Sequence, residues 1–452
     1  MGATEEIAEF VAATRTGGIP DAVLGLAKRG VIDTLGVAIG AAAHPIGDIL
    51  SKTLSPTSTG AVCLWNGRGK VDAMDGALCN GTIGHTLDFD DGGVALTPMH
   101  PSTPVLAAVW ALGESGNFSG KDVLAAYTVG VEVECKVASA ISLTHYDHGW
   151  HSTAVLGSFG AAAGCGFLLG LNVAALRTAI GIAASMTGGL KVNFGTMTKP
   201  LHAGLAARNG LMAAQLAQHG WTANQNALET GKGFFEVFQC GEVGALHLGQ
   251  PFHFHSPGVS IKRFPSCSAT TIASKAMLAL KSAHNLRAEQ IERIDCSVHA
   301  VSYQALRKEP GVSTPEQGRF SLHFTMPLIV LEGSVELKHF APRYFDRKDL
   351  QALSNRVAIA IHPELETLES KKKAFGEVTV TLKDGRRLSH RATEIRGRPP
   401  LPLSDADVDG KFVGCAEPAL GEDKARALLT ALRCLEAQQA MGPLLSRAYS
   451  LA

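Results

Sequence analysis

The chain has 452 residues, more than one simple core holds, so two or three domains are expected. Apolar residues make up 46% and charged residues 18%, which excludes a globally disordered chain. The formal net charge is zero, which leaves no basic surface for a nucleic acid and no polybasic patch for a membrane, so the expected partner is a small molecule.

Residues 3–13 read as a short amphipathic helix. Pro20-Asp21 open a longer one over 20–41, with apolar positions at Val23, Leu24, Ala27, Val31, Leu35 and Ile39. A third helix covers 46–55, and a loop runs from 55 to 60. A short extended piece at 61–65 precedes the Asn66-Gly67 turn. Residues 71–86 form a helix of small residues that delivers His85 and Asp88 at its C-terminal end. Pro98, Pro101 and Pro104 break the chain, and helices follow at 104–114, 120–142, 152–170 and 173–187. A polar loop at 192–199 presents Lys199, before a helix at 203–218 and short helices at 222–231 and 233–240. The apolar runs 155–171 and 179–190 are rich in glycine and alanine and read as buried helices rather than membrane spans.

After residue 265 the pattern changes. A helix at 269–283 precedes partial alternation over 288–302. Residues 376–394 give the clearest strand signal, a hairpin turned at Asp384-Gly385, and 356–361 adds a third strand. Pro399, Pro400 and Pro402 form a rigid linker, and helices at 404–412 and 420–438 return. The expected fold is therefore two-domain: an all-α domain of residues 1–265 with 400–452, and a smaller α+β domain of 266–399. With 49 glycines and so little charge, an obligate oligomer is favoured. The nine cysteines are scattered without a Cys-x-x-Cys, as free thiols in a reducing compartment would be. Glu5, Glu6 and Glu9 stand where a secretory leader would be basic, so a cytoplasmic location is expected.

The chemistry concentrates in residues 81–104. Asp88, Asp90 and Asp91 cannot all be buried and ionised without partners. Asp88 and Asp91 are readily explained as helix caps or partners of an internal cation. Asp90 is the candidate base, or the anchor that orients a catalytic histidine or lysine. His100 sits in a stiff loop between Met99 and Pro101, and His85 is spaced i,i+3 from Asp88. A second cluster, 145–151, holds three histidines and Tyr146. His151 stands at the start of the 152–170 helix, where free N–H groups favour a bound anion and a neutral imidazole. Zinc on His145, His148 and His151 is disfavoured by the glycine among them. Lys199, between Thr198 and Pro200, suits a substrate carboxylate or an enolate, and Lys262-Arg263 is a second cationic point near the domain boundary. The chain lacks a Walker loop, a Gly-x-Gly-x-x-Gly after a strand and a Gly-x-Ser-x-Gly elbow, so neither cofactor nor metal is expected. The residue types suit proton abstraction beside a carboxylate of a small di- or tricarboxylate. Reprotonation would give epimerisation, and loss of a β-hydroxyl would give dehydration.

His85-Thr-Leu-Asp88-Phe-Asp90-Asp91, His100-Pro-Ser, Gly149-Trp-His151, Gly195-Thr-Met-Thr-Lys199-Pro-Leu-His202 and Lys262-Arg-Phe-Pro265 resemble the motifs of the MmgE/PrpD family. The resemblance runs over nearly the whole chain, as far as Leu401-Pro-Leu-Ser. It implies a large helical domain, a small α+β lid, a homodimer, no metal, and an active site between the domains that includes Asp90, His100, His151, Lys199 and Lys262. The family is known for 2-methylcitrate dehydratase, cis-aconitate decarboxylase and iminodisuccinate epimerase. Two places differ from the first two activities. Cys267-Ser-Ala-Thr270-Thr271 lacks their common histidine, and Phe320-Ser321-Leu-His323 lacks their common tyrosine. These differences and the chain length direct the expectation to a cofactor-independent epimerase of an iminodisuccinate-like amino-dicarboxylate. Tyr146 and Lys199 would serve as its acid and base, and His151, Lys262, His85 and Arg263 would serve around the substrate. The alternative is a lyase, dehydrating or hydrating a citrate-like acid such as 2-methylcitrate.

Overall fold

The computed structural model describes residues 2–54, 60–92, 97–367, 375–393, 397, 399 and 401–450. Most of the loop expected at 55–60, the middle of the 81–104 stretch and Pro400 lie outside them. The chain divides into two compact units: Met1–Asn193 with Met197–Ile261 and Pro402–Ala452, and Phe194–Thr196 with Lys262–Leu401. The larger is predominantly helical and the smaller carries a β-sheet.

In the larger unit the elements run α1 (Ala3–Gly17), α2 (Asp21–Gly40), α3 (Pro45–Leu54), a two-stranded ribbon β1 (Val62–Cys63) and β2 (Lys70–Val71), α4 (Ala73–His85), α5 (Ser102–Ser115), α6 (Gly120–Ala140), the one-turn α7 (Thr144–Asp147), α8 (Ser152–Leu169), α9 (Val173–Met186), α10 (Thr198–Gln218) and the one-turn α11 (Phe234–Val237). The helix starts are chemically marked. Ser119 accepts the Asp122 amide before α6, and Asn172 accepts that of Ala175 before α9. The centre is α8, apolar nearly all round, with α10, α6 and α5 against it. By length and composition α8 could cross a membrane, but 89% of its span is buried inside the protein.

Two expectations fail here. Residues 222–231 form turns rather than a helix, and 233–240 contains only the single turn of α11. The loop of 192–199 ends early, because α10 begins at Thr198 and takes Lys199 into its first turn. Pro200 does not oppose this, since the first turn of a helix has no N–H to lose.

The smaller unit contains α12 (Ser268–His284), β3 (Ile291–Val298), α13 (Ala300–Ala305), α14 (Pro315–Arg319), α15 (Leu322–Glu332), α16 (Lys348–Ser354), β4 (Val357–Ile361), β5 (Gly376–Leu382) and β6 (Arg387–Ala392). Its sheet has the order β4-β3-β5-β6, with β4 parallel to β3 and the other pairs antiparallel. Alternate residues Val378, Val380 and Leu382 of β5 are buried, and α12 covers β5 and β6. The chain then returns to the larger unit through α17 (Asp405–Leu420), α18 (Glu422–Arg433) and α19 (Pro443–Tyr449), with α17 packed on α2. α17 runs past the expected end at 412. The nine cysteines form no disulfide, and all but Cys267 and Cys434 are buried.

The crossing of α4 with α10 fixes the position of the site. It is a contact of bare backbones: a Cβ on Gly81 would lie 2.8 Å from Gly204 Cα, and one on Gly204 would lie 2.2 Å from both Leu78 O and Thr82 Oγ1. Gly204→Ala therefore forces the helices apart. It is expected to cost about 2–3 kcal/mol, read as a lowered melting temperature, and to lower turnover by separating groups carried on the two helices.

Candidate active site

α4 ends at His85, and the chain then turns through Asp88, whose φ of 48° lies in the left-handed region that aspartate tolerates better than most residues. The turn gives the three carboxylates three different partners. Asp90 takes His85 Nδ1 at 2.8 and 3.1 Å and accepts from Thr103 Oγ1 at 2.8 Å. Asp88 Oδ1 accepts from Lys199 Nζ at 2.7 Å. Asp91 accepts from Ser102 Oγ at 2.5 Å and from the Ser102 amide at 3.2 Å, satisfying a free N–H at the start of α5. Ser102 Oγ also lies 2.5 Å from the Tyr127 hydroxyl.

His85 joins the acidic turn to α10. Asp90 holds the ring proton on Nδ1, so Nε2 presents a lone pair, and Lys199 Nζ lies 2.6 Å from it. The ammonium is thereby fixed between an imidazole and a carboxylate. His100 packs edge-on against His85 with centroids 4.3 Å apart. Its Nδ1 donates to Asp91 O at 2.6 Å, and its amide donates to Thr153 Oγ1 at 3.1 Å. His100 Nε2 lies 3.6 Å from Asp88 Oδ1. His151 immediately precedes α8, lies 6.1 Å from the His85 ring, and places Nδ1 3.1 Å from His202 Nδ1.

Burial dominates the electrostatics. It pushes His85 down to about 4, with the Lys199 charge adding to it against the pull of Asp90. His202 is also pushed down to about 4, by burial and then by His85 and Lys199. Burial and Lys199 hold His151 well below the usual imidazole range. For Asp90 burial acts the other way, but His85 and His100 outweigh it and hold the carboxyl well below its ordinary range. Asp91 is raised to about 7 by burial, against its bonds from Ser102. Near neutral pH, His85, His151 and His202 are therefore uncharged around one lysine and the carboxylates of Asp88 and Asp90.

The structure brings His85, Asp90, His100, His151 and Lys199 together in the larger unit. Tyr146 is buried on α7, with Lys191 Nζ 3.5 Å from its ring centroid and also bonded to its carbonyl at 2.7 Å. Lys262 and Arg263 open the smaller unit. Lys262 is buried, and Arg263 lies over the Phe264 ring at 5.7 Å in a groove shared with Lys275 and Lys281. His145 spends both ring nitrogens on Ser142 O and Ser152 Oγ, and His148 is exposed. Sequence reasoning missed the parts played by His202, Ser102, Thr103 and Thr153. A helix starting at 198 would have put His202 on the Lys199 face at i,i+3.

Ligand atoms of His85, Asp88, Asp90 and His100 all lie within 4.8 Å of one another, a spacing that a divalent cation can also use. Lys199 Nζ is already within 2.7 Å of two of these four residues.

A buried ammonium bonded to an imidazole, with further neutral imidazoles beside it on a helical scaffold, is the equipment of an enzyme that moves protons and stabilises anions. Residues 5–244 match the MmgE/PrpD N-terminal domain and residues 264–437 match the MmgE/PrpD C-terminal domain, and the chain belongs to this family. Among its relatives, the cis-aconitate decarboxylase of Homo sapiens is 30% identical over 96% of this chain and 92% of its own length. That of Mus musculus is 28% identical over 96% and 90%. One from Aspergillus terreus is 27% identical over 89% and 87%.

Proposed function

We propose that this chain is a lyase that decarboxylates a small unsaturated tricarboxylic acid of the cis-aconitate kind. The observation that carries the reading is the Lys199 ammonium held between His85 Nε2 and Asp88 Oδ1, next to His100 and His151. Relatives bearing that activity and matching nearly end to end support it, and move the balance from the epimerase expectation to its lyase alternative. Decarboxylation breaks a C–C bond, releases CO2 and leaves the electron pair as a carbanion. Lys199 stabilises that charge, and an imidazole supplies the proton that forms the new C–H bond, so one proton is consumed for each CO2. Asp90 acts through His85, which it orients. His100 and His151 are the candidate proton donors. Lys262 and Arg263 are assigned to substrate carboxylates on their motif alone.

A second reading keeps the epimerase, with Tyr146 and Lys199 as acid and base. It is favoured by the segments 267–271 and 320–324, which lack the histidine and tyrosine described above. The one histidine there, His323, faces the backbone carbonyls of Ser354 at 3.3 Å and Lys308 at 2.9 Å. Proton NMR in D2O separates the readings. The protein is incubated singly with cis-aconitate, 2-methylcitrate, citrate and iminodisuccinate. The lyase is expected to convert cis-aconitate to CO2 and a five-carbon unsaturated diacid carrying one solvent deuterium. Deuterium exchange and stereoisomer interconversion of iminodisuccinate, with cis-aconitate untouched, would overturn it. In that case Tyr146→Phe should abolish turnover.

A further inference from the structure

The first two turns of α10 carry two groups into the cluster, Lys199 and His202. His202 Nδ1 lies 3.1 Å from His151 Nδ1, and both rings are buried. Two neutral imidazoles hold such a contact with one Nδ1 protonated and the other accepting. One added proton turns the pair into a charge-assisted imidazolium–imidazole bond, which is stronger than the neutral one. The surroundings hold the rings in place. The His151 amide donates to Gly189 O at 2.9 Å, and the Lys191 amide donates to Gly149 O at 2.8 Å. A Cβ on Gly189 would come 3.2 Å from His202 Cγ, so the His202 ring lies against bare backbone.

The charges around the pair define when it protonates. His151 faces Lys199 and His202 from α10, His85 from α4 and His100 from the loop that follows; His202 faces His85 and Lys199. Burial keeps both rings neutral, and Lys199 adds to it. A polycarboxylate beside Lys199 cancels that charge and adds attraction. Two carboxylate charges within about 5 Å, acting with the charge-assisted bond between the rings, are enough to carry the pair above ordinary imidazole basicity.

We propose that the His151–His202 pair is where this protein takes up one proton as a polycarboxylate binds, His151 facing the ligand and His202 sharing the proton through Nδ1. This rests on the polycarboxylate reading above and deepens it. The stored proton is the one that decarboxylation consumes: an N–H bond of His151 breaks, a C–H bond forms at the carbanion, and the pair returns to neutral. His202 is a positioning residue, since it acts through His151.

Tricarballylate, a saturated tricarboxylate with no double bond to take up the electron pair, serves as the probe. It is titrated into the protein by calorimetry at about pH 7.5, above the ordinary imidazole range, in two buffers of different ionisation enthalpy. The wild type is expected to take up close to one proton per bound ligand, and His202→Asn less than half as much. Nitrogen NMR of histidine-labelled wild type needs no variant, and should show one pair of imidazoles shifting toward the imidazolium range in the complex. Full uptake by a folded His202→Asn, or wild-type imidazoles that stay neutral in the saturated complex, overturns the pair. Failure to bind tricarballylate together with no turnover of cis-aconitate overturns the polycarboxylate reading instead, and the role of the pair falls with it.

Discussion

Lys199→Met is expected to lower kcat/KM on cis-aconitate by at least about 1,000-fold, because it removes the amine that His85 and Asp88 hold at the His85–Asp88–Asp90–His100 cluster. The same change damages the fold. Asp88 and Asp90 are both buried, and breaking a buried ion pair from one side costs about 3–5 kcal/mol through the charge left behind. Lost activity alone would therefore not separate a catalytic lysine from a structural one. The double variant Lys199→Met with Asp88→Asn does. It removes the stranded carboxylate along with its partner, so the melting temperature should recover most of the loss while turnover stays down. Recovery of turnover along with stability would show that Lys199 only neutralises Asp88.

The helical architecture was legible because α2, α4, α5, α6, α8 and α9 each carry a periodic or continuous apolar face bounded by proline, glycine or a capping residue. The β5–β6 hairpin was legible for the matching reason, a two-residue alternation around Asp384-Gly385. The short helices between 300 and 354 were not, since five to eleven residues give too little periodicity to stand out. The helix expected at 203–218 in fact starts at Thr198, because Pro200 falls in a first turn, which a proline tolerates. The acidic turn announced a site by composition, yet its division of labour could not be read. That Asp90 serves His85, Asp88 serves Lys199 and Asp91 serves Ser102 depends on the left-handed turn at Asp88 and on a partner more than a hundred residues away. His202 was hidden for the same reason: its contact with His151 spans 51 residues and is made where α10 packs on the start of α8.

Asp90→Asn is expected to lower kcat by roughly 100- to 10,000-fold, although its shape is nearly unchanged. Asp90 accepts from Thr103 Oγ1 with one oxygen and holds the His85 proton on Nδ1. The oxygen that takes the Thr103 bond, Oδ2, is also the nearer one to His85 Nδ1 at 2.8 Å, and Oδ1 is 3.1 Å from it, so whichever way an asparagine is turned its amide NH2 lies beside His85 Nδ1. Two donors cannot face each other, so the His85 proton moves to Nε2, which then points an N–H at the Lys199 ammonium from 2.6 Å. One proton displaced at the far end of the relay thus expels the cation at the near end. The His85 tautomer is directly readable from its two nitrogen resonances, and it should invert in the variant. The same relay fixes the combined effect. Asp90 contributes through His85 to the placing of Lys199, so once Lys199 is methionine the Asp90→Asn change should cost almost nothing more. If the two losses multiplied in full, Asp90 would have a task independent of the lysine, and its 3.4 Å approach to His100 Nδ1 would be the first place to look for it.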